Sequence, residues 1–272
     1  MINTVVAGAA GRMGGRIIQM IQKSGEINLS GAFERPDHPA IGKDVGQIVG
    51  LGNINMELTG DINEAMENAD VLIDFTAPES TLENIRFISK AGQAIIIGTT
   101  GITDEINQEL NLLSQKIRCV MSPNMSVGVN VLFKTVNDLS KILNKGYDME
   151  IIEYHHRLKK DAPSGTAMHL AKILADSTGR NLDTDAVYKR KGFIGVRRDE
   201  EIGIQSIRAG DIVGEHTTIF AGVGERIEIT HRAHSRDNFA RGALLAATWV
   251  VKQPNGLYDM QDVLGLKEND NV

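Results

Sequence analysis

Thr4-Val5-Val6-Ala7 runs straight into Gly8-Ala9-Ala10-Gly11-Arg12-Met13-Gly14, and a helical pattern with Ile17, Ile18 and Ile21 on one side follows at once. A strand, a glycine turn and a helix start in that order form an anion cradle, because unpaired backbone N–H groups and the positive end of the helix dipole converge on one spot. A pyrophosphate fits there. The spacing is G-x-x-G-x-x-G rather than G-x-G-x-x-G, so the turn takes its meaning from context. The second predicted strand ends Gly31-Ala32-Phe33-Glu34, and Glu34 stands 20 residues beyond Gly14, where a carboxylate can accept hydrogen bonds from an adenosine ribose. Arg35 follows, and a guanidinium suits a 2′-phosphate. Together the two residues point to both NADH and NADPH as cofactors.

The first half of the chain repeats the strand–helix alternation of a parallel sheet. Candidate strands are Thr4–Ala7, Asn28–Phe33, Val71–Phe75, Ala94–Gly98 and Ile117–Met121; candidate helices are Arg12–Gln22, Ile62–Asn68, Ser80–Ala91 and Asp104–Ser114. The runs are apolar enough for a sheet covered on both faces. The turns Phe75-Thr76-Ala77-Pro78, Gly98-Thr99-Thr100-Gly101 and Ser122-Pro123-Asn124-Met125 fall at the carboxyl ends of these strands, the edge where such sheets bind ligands. They are expected to line the nicotinamide half of the cofactor.

After Pro123 the pattern changes. A helix from about Val127 to Leu143, a strand Met149–His155, a helix from Ser164 to about Asp176 and the alternating runs Gly203–Arg208, Ile212–Phe220 and Arg226–Ala233 predict a second domain. It is α+β, on a mixed, largely antiparallel sheet. Phe239–Val251 is a strongly apolar helix, and the first sheet needs one more cover. The fold class is therefore α/β: a Rossmann-like, doubly wound domain from residues 1–126 and 237–272, and a second domain from residues 127–236.

Between the two parts of the second domain lies Glu153-Tyr154-His155-His156-Arg157-Leu158-Lys159-Lys160-Asp161-Ala162-Pro163-Ser164-Gly165-Thr166-Ala167. It gathers cations in a chain with 35 acidic and 29 basic side chains and a net charge of -6. A solvated charge run is one reading. A nucleic-acid patch is poorer, since the run is short and lacks interleaved aromatics. A site for a small anion fits the sequel: Ser164 is a good N-cap, and Ala167, Leu170, Ala171 and Leu174 form an apolar helix face, so the N–H groups of Gly165 and Thr166 stand at a helix start beside the cations. A substrate carboxylate there gains roughly 0.3–1 kcal/mol from the dipole.

His155 and His156, adjacent at a strand end, point to opposite sides and do different jobs. A histidine exchanges protons near neutral pH, and Lys159, set among other cations, releases a proton more readily. A metal centre has weak support: no further His or Cys stands nearby at ligand spacing, and lysines oppose a dication. Arg236 is a candidate second carboxylate clamp, and His231 and His234 are read as packed or hydrogen-bonded sheet residues.

The motifs Gly8–Gly14, Glu34-Arg35, Gly98–Gly101, Ser122–Asn130 and above all His155–Ala167 resemble, end to end, the 4-hydroxy-tetrahydrodipicolinate reductase (dihydrodipicolinate reductase) family of the diaminopimelate route to lysine. The resemblance implies hydride transfer from NAD(P)H to a cyclic dicarboxylate imine with loss of water, with His155 as proton donor or acceptor and Lys159 as proton donor. It implies His156, Gly165 and Thr166 as substrate contacts, and Gly8, Ala9, Ala10, Gly11, Arg12, Met13, Glu34, Arg35, Gly98, Thr99, Thr100, Ser122, Pro123, Asn124 and Met125 at the cofactor. It further implies a homotetramer assembled through the sheet-rich domain. Met125 stands where the family often has an aromatic, and Ala10 where basic residues or glycine also occur.

The acidic balance excludes nucleic acid and anionic membranes as partners. Hydrophobic residues at 42% and charged residues at 24% are those of a soluble globular chain, and no apolar run reaches the length of a membrane span. Met1-Ile2-Asn3-Thr4 lacks a basic n-region, and a single cysteine, Cys119, in an apolar run suits a reducing cytoplasm. Two rivals remain at this point: a nicotinamide oxidoreductase for an amino-acid or sugar carbonyl, and a nucleotide-sensing protein without turnover. The first needs no two carboxylate clamps, and the second no proton donors.

Overall fold

The structure, a computed structural model, describes residues 1–113 and 116–267. In chain order its elements are β1 Ile2–Ala7, α1 Arg12–Ile21, β2 Ile27–Phe33, α2 Val45–Ile48, α3 Ile62–Met66, β3 Val71–Asp74, α4 Pro78–Ala91, β4 Ala94–Ile97, α5 Asp104–Leu113 and β5 Arg118–Met121. There follow α6 Val127–Ile142, β6 Asp148–His155, α7 Gly165–Thr178, α8 Leu182–Asp185, β7 Ala186–Val187, β8 Ile202–Arg208, β9 Gly214–Gly222, β10 Glu225–Ala233, α9 Asp237–Val250, β11 Gly256–Tyr258 and α10 Met260–Val263. They pack as two compact units, Met1–Val127 with Arg236–Val272, and Gly128–Ser235. Ser114, the expected end of α5, lies outside the described residues.

The first unit is a six-stranded parallel sheet in the order β11-β5-β4-β3-β1-β2. Neighbouring side chains on each strand point to opposite faces, and both faces are buried. Val6, Ile73, Ile96 and Val120 pack under Ile17 and Ile18 of α1 and the alanines Ala240, Ala243, Ala246 and Ala247 of α9. Val5, Leu72, Ile95 and Cys119 pack on the other face with Ile85 and Ile88 of α4 and Ile106 and Leu110 of α5. Burial of this kind pushes the Cys119 thiol well above its ordinary range, which makes it a packing residue rather than a nucleophile.

The returning helix α9 packs so closely on the turn after β5 that only glycine fits at position 242. A Cβ at Gly242 would stand 2.7 Å from the Met125 carbonyl carbon and closer still to its oxygen. Gly242→Ala is expected to lower stability by about 1–3 kcal/mol, measured as a lower denaturant midpoint at unchanged m-value; an unchanged midpoint would contradict the packing.

The second unit holds a mixed sheet in the order β10-β9-β6-β8-β7, in which β6 runs antiparallel to β9 and parallel to β8. One face carries Met149, Ile151, Ile202, Ile204 and Phe220 against Leu132 and Phe133 of α6 and Leu170 and Leu174 of α7. The opposite parity, Ile152, Tyr154, Thr217 and Ile219, is only half buried, and Ile207 is exposed. β9 begins at Gly214 rather than Ile212 because residues 209–213 form the turn out of β8. No described helix is long and apolar enough to cross a membrane.

Candidate active site

Two sites emerge, one in each unit. In the first, β1 lies between β2 and β3, with Ala7 paired to both Phe33 and Asp74. The chain thus leaves the sheet in opposite directions on either side of β1, and that switch point opens a crevice at the carboxyl edge. A cleft of about 540 Å³ lies there, lined by Gly8, Gly11, Glu34, Arg35, Thr76 and Ala77 among others.

Gly8 adopts φ +64, and the Gly11 N–H donates to its carbonyl at 2.9 Å. A Cβ at Gly14 would run into the Gly8 carbonyl and stand 2.8 Å from the Ala9 Cα, so the turn and α1 fit only with glycine there. Gly11, the N-cap of α1, has no side chain to occupy the first-turn N–H groups. That is the arrangement an anion needs. Glu34 closes the crevice from β2: its Oε1 accepts from Ala10 N–H at 3.2 Å, which sets a carboxylate beside the turn. Arg35 is exposed and ion-paired to Asp37 at 3.2 Å. These residues fit a dinucleotide: a glycine turn at a helix start with no side-chain cap for the pyrophosphate, and the Glu34 carboxylate beside it for the ribose.

The rim is built by buried Asp74 at the end of β3. It accepts from Thr76 N–H at 2.9 Å, Thr76 Oγ1 at 2.6 Å and Asn84 Nδ2 at 2.9 Å, while Thr81 Oγ1 donates to Thr99 Oγ1 at 2.8 Å. The Phe75 ring lies over Gly98, where a Cβ would come within 2.7 Å of Cδ1. Ser122 Oγ donates to the Asn124 carbonyl at 2.9 Å. The side chains of Ala9, Thr99, Ser122 and Met125 are buried, and Met125 belongs to the core under α9. These four residues shape the loops from within. Thr100, Pro123 and Arg12 are exposed.

The second site grows out of strand register. Glu153 and His155 continue the parity of the core residues Met149 and Ile151 on β6, so both point to the helix-covered face. His155 pairs with Arg208 of β8, and Glu153 with His216 of β9. Three strands far apart in sequence thus deliver four polar side chains to one spot. Glu153 is 0% exposed. Arg208 donates Nη2 to its Oε1 at 2.8 Å and Nη1 to its Oε2 at 3.0 Å, Ser164 N–H reaches Oε1 at 3.3 Å, and His155 Nδ1 is hydrogen-bonded to Oε2. Burial alone would raise the Glu153 carboxyl, but the hydrogen bonds from His155, Arg208 and Ser206 outweigh it and hold the group well below the ordinary carboxylate range.

From this knot the bend Arg157–Ser164 leads to α7. Arg208 Nη2 also donates to the Asp161 carbonyl at 2.7 Å, tying the bend to β8, and the Ala162–Pro163 peptide is cis. Ser164 caps α7 by accepting from Ala167 N–H at 3.2 Å. Nothing lies within 4 Å of where a Gly165 Cβ would be, so the helix start is open there. Lys159 is paired to both oxygens of Asp161, at 2.9 and 2.8 Å, and this ammonium holds the Asp161 carboxyl below its usual range. Lys159, expected among other cations, thus has an anion as its immediate partner.

Several further differences from expectation matter. His216, Arg208 and Glu153 were not singled out in the sequence, yet they surround His155. Arg236 is the N-cap of α9 and is exposed, in the first unit. His231 lies on β10, half buried, whereas His234 lies beyond the strand and is exposed. Glu153, His155 and His216 offer three ligand atoms within 4.8 Å of one another, a metal-like grouping that sequence spacing concealed. Its chemistry is nevertheless that of an ion pair, because both carboxylate oxygens are taken by Arg208, and a dication would have to displace a bidentate guanidinium.

His216 is pushed down to about 3 by burial and by the neighbouring charge of His155, and its Nε2 meets Ser164 Oγ at 3.1 Å. The group is neutral in the folded protein near neutral pH. Its unfolded form takes a proton near 6.5, so the stability it contributes is complete above that pH and is lost as pH falls toward 3; depressed Glu153 acts in the same direction below about 4.5. Melting curves should lose on the order of 1.4 kcal/mol per pH unit from His216 below pH 6, and His216→Asn should flatten the slope between pH 4 and 6. Equal slopes in both proteins would contradict the assignment.

Comparison with known proteins accords with both halves. The family described as "Dihydrodipicolinate reductase, N-terminus" matches residues 2–125, and "Dihydrodipicolinate reductase, C-terminus" matches residues 128–264. The chain is 53% identical to the 4-hydroxy-tetrahydrodipicolinate reductase of Syntrophobacter fumaroxidans over 267 residues, covering 98% of this chain and 100% of that protein. It is 50% identical to the protein of the same name from Syntrophus aciditrophicus, with the same coverage. In fold it is similar to a dipicolinate-bound dihydrodipicolinate reductase from Paenisporosarcina sp. TG-14, with a TM-score of 0.76 at 24% identity over 96% of this chain and 98% of that one. With both domains of the family matched in order and relatives half identical over their full length, the chain belongs to the dihydrodipicolinate reductase family.

Proposed function

We propose that this protein reduces 4-hydroxy-tetrahydrodipicolinate to tetrahydrodipicolinate, with NADPH or NADH as reductant and loss of water, in the diaminopimelate route of lysine biosynthesis. The observation that carries the reading is half identity to proteins of that name across the whole chain, together with the bend His155–Thr166 that sets histidine and lysine beside an open helix start. When bound, the nicotinamide supplies a hydride. The turn Gly8–Gly14 holds the pyrophosphate on the first-turn N–H groups of α1, and Glu34 and Arg35 receive the adenosine ribose or its 2′-phosphate.

The rest falls to the bend. A dicarboxylate ring is held by one carboxylate at the start of α7, on Gly165 and Thr166, with His156 beside it and Arg236 as the second clamp. Loss of water from the hydroxylated ring conjugates the imine, and hydride addition at the far end of the conjugated system then leaves negative charge shared by the ring nitrogen and the carbon next to the one that takes the hydride. His155 and the charged Lys159 are the groups that answer it with a proton. The enzyme works as a homotetramer in the cytoplasm; the half-buried face of the second sheet, with Ile152, Tyr154, Ile207 and Ile219, supports the assembly.

The test is absorbance of NADPH and NADH in the presence of freshly generated hydroxy-tetrahydrodipicolinate, beside a panel of amino-acid and sugar carbonyls. Oxidation confined to the dicarboxylate supports the reading. Oxidation only with an aldehyde or keto acid, or cofactor binding with no oxidation at all, would overturn it.

A further inference from the structure

We propose that Glu153, clamped by Arg208, is a positioning residue that keeps the proton of His155 on Nδ1 and leaves Nε2 as the nitrogen that exchanges a proton with the substrate. The inference rests on the reading of His155 as the proton-exchanging group and adds which nitrogen acts and what fixes it. An ionised carboxylate can only accept hydrogen bonds. Glu153 is ionised because four donors, from Arg208 twice, Ser164 and His155, meet its two oxygens in a fully buried place. A neutral imidazole in contact with it must therefore carry its hydrogen on Nδ1, and the other nitrogen is bare.

Three further observations fit this tautomer. Gly214 of β9 stands beside the exchanging nitrogen: a Cβ there would lie 3.0 Å from His155 Nε2, so glycine keeps that side clear of a side chain. His216 packs edge-on against His155, with ring centroids 5.2 Å apart and planes at 73°. It stays neutral because burial disfavours a charged ring, and its Nε2 lies 3.1 Å from Ser164 Oγ, which also accepts from Ala167 N–H. A second proton on His155 thus faces one anion, Glu153, with Arg208 spent on that same carboxylate, a neutral His216, and Lys159 held by Asp161. Glu153 keeps its charge throughout, steadying the imidazolium without taking the proton, as the carboxylate of a serine-protease triad does.

The direct test needs no variant. In the folded protein above pH 7, nitrogen NMR of ¹⁵N-histidine should show His155 with protonated Nδ1 and bare Nε2; the reverse tautomer would overturn the proposal. Glu153→Gln can donate as well as accept and lets the ring turn over. It should lower kcat by about 10²-fold, the low end of what a general acid–base group contributes, and shift the basic limb of the kcat profile, where His155 loses the proton it donates, to lower pH, with NADPH binding unchanged and partial rescue in Glu153→Asp. Turnover within threefold of the wild type on the same pH profile would overturn the positioning role. His155→Ala separates the two readings: if it also turns over normally, the assignment of His155 itself fails, whereas an inactive His155→Ala beside an unaffected Glu153→Gln sinks only this inference. Should Glu153→Gln not fold, the tautomer in the wild-type protein decides alone.

Discussion

Replacing His155 and Lys159 together by alanine should lower kcat by about 10⁴-fold or more, while NADPH still binds with wild-type affinity. Each general acid or base supplies about 10²–10⁴ when it is well placed. Groups serving one proton inventory are not additive, so the double variant is expected to fall short of the product of the single losses. The structure favours a clean reading of this experiment. Lys159 pairs with the largely exposed Asp161, and removing His155 leaves the Glu153–Arg208 ion pair in place. The cofactor cradle is built from other elements, β1, α1 and β2. A double variant turning over within tenfold of the wild type would remove both residues from the chemistry.

Gly14→Ala is expected to weaken NADPH binding by about 100-fold, or about 2.7 kcal/mol. The methyl group has no room: Gly8 and Ala9 backbone atoms occupy its place, and the nearest relief is to open the very turn that presents the N–H groups. Gly15→Ala is the matched control, since its Cβ would meet Val49 at an ordinary 3.5 Å. It should bind NADPH as the wild type does. Fluorescence titration of both variants decides the matter, and equal affinities would mean that the turn does not hold the phosphates.

Legibility in the sequence followed the range of the interactions concerned. The strand, glycine turn and helix of the first unit obey local rules of period and cap, so β1, α1 and β2 stand close to where the pattern predicts them. Glu34 was reachable by spacing alone. β11 was not: three residues, Gly256–Tyr258, carry no alternation, and they become a strand only by pairing with β5. The cluster around His155 is a matter of register. Nothing near Glu153 in sequence announces His216, 63 positions away, or Arg208, 55 positions away. One signal was present: Glu153 continues the inward parity of Met149 and Ile151, and a carboxylate on a buried face demands a cationic partner. Arg236 drew attention because it follows a predicted strand end, and it stands at the start of α9. The burial of Met125 was equally out of reach, because the side chain of this loop residue turns into the core under α9, which arrives from the end of the chain.

The most direct measurement uses NADPH deuterated at C4 with hydroxy-tetrahydrodipicolinate in ordinary water, followed by mass spectrometry and NMR of the tetrahydrodipicolinate formed. Hydride delivery from the cofactor, with the compensating proton drawn from the protein and thus from solvent, predicts one deuterium retained on a ring carbon and one water lost for each NADPH oxidised. Product without the label, or oxidation of NADPH with no reduced ring, would contradict the account.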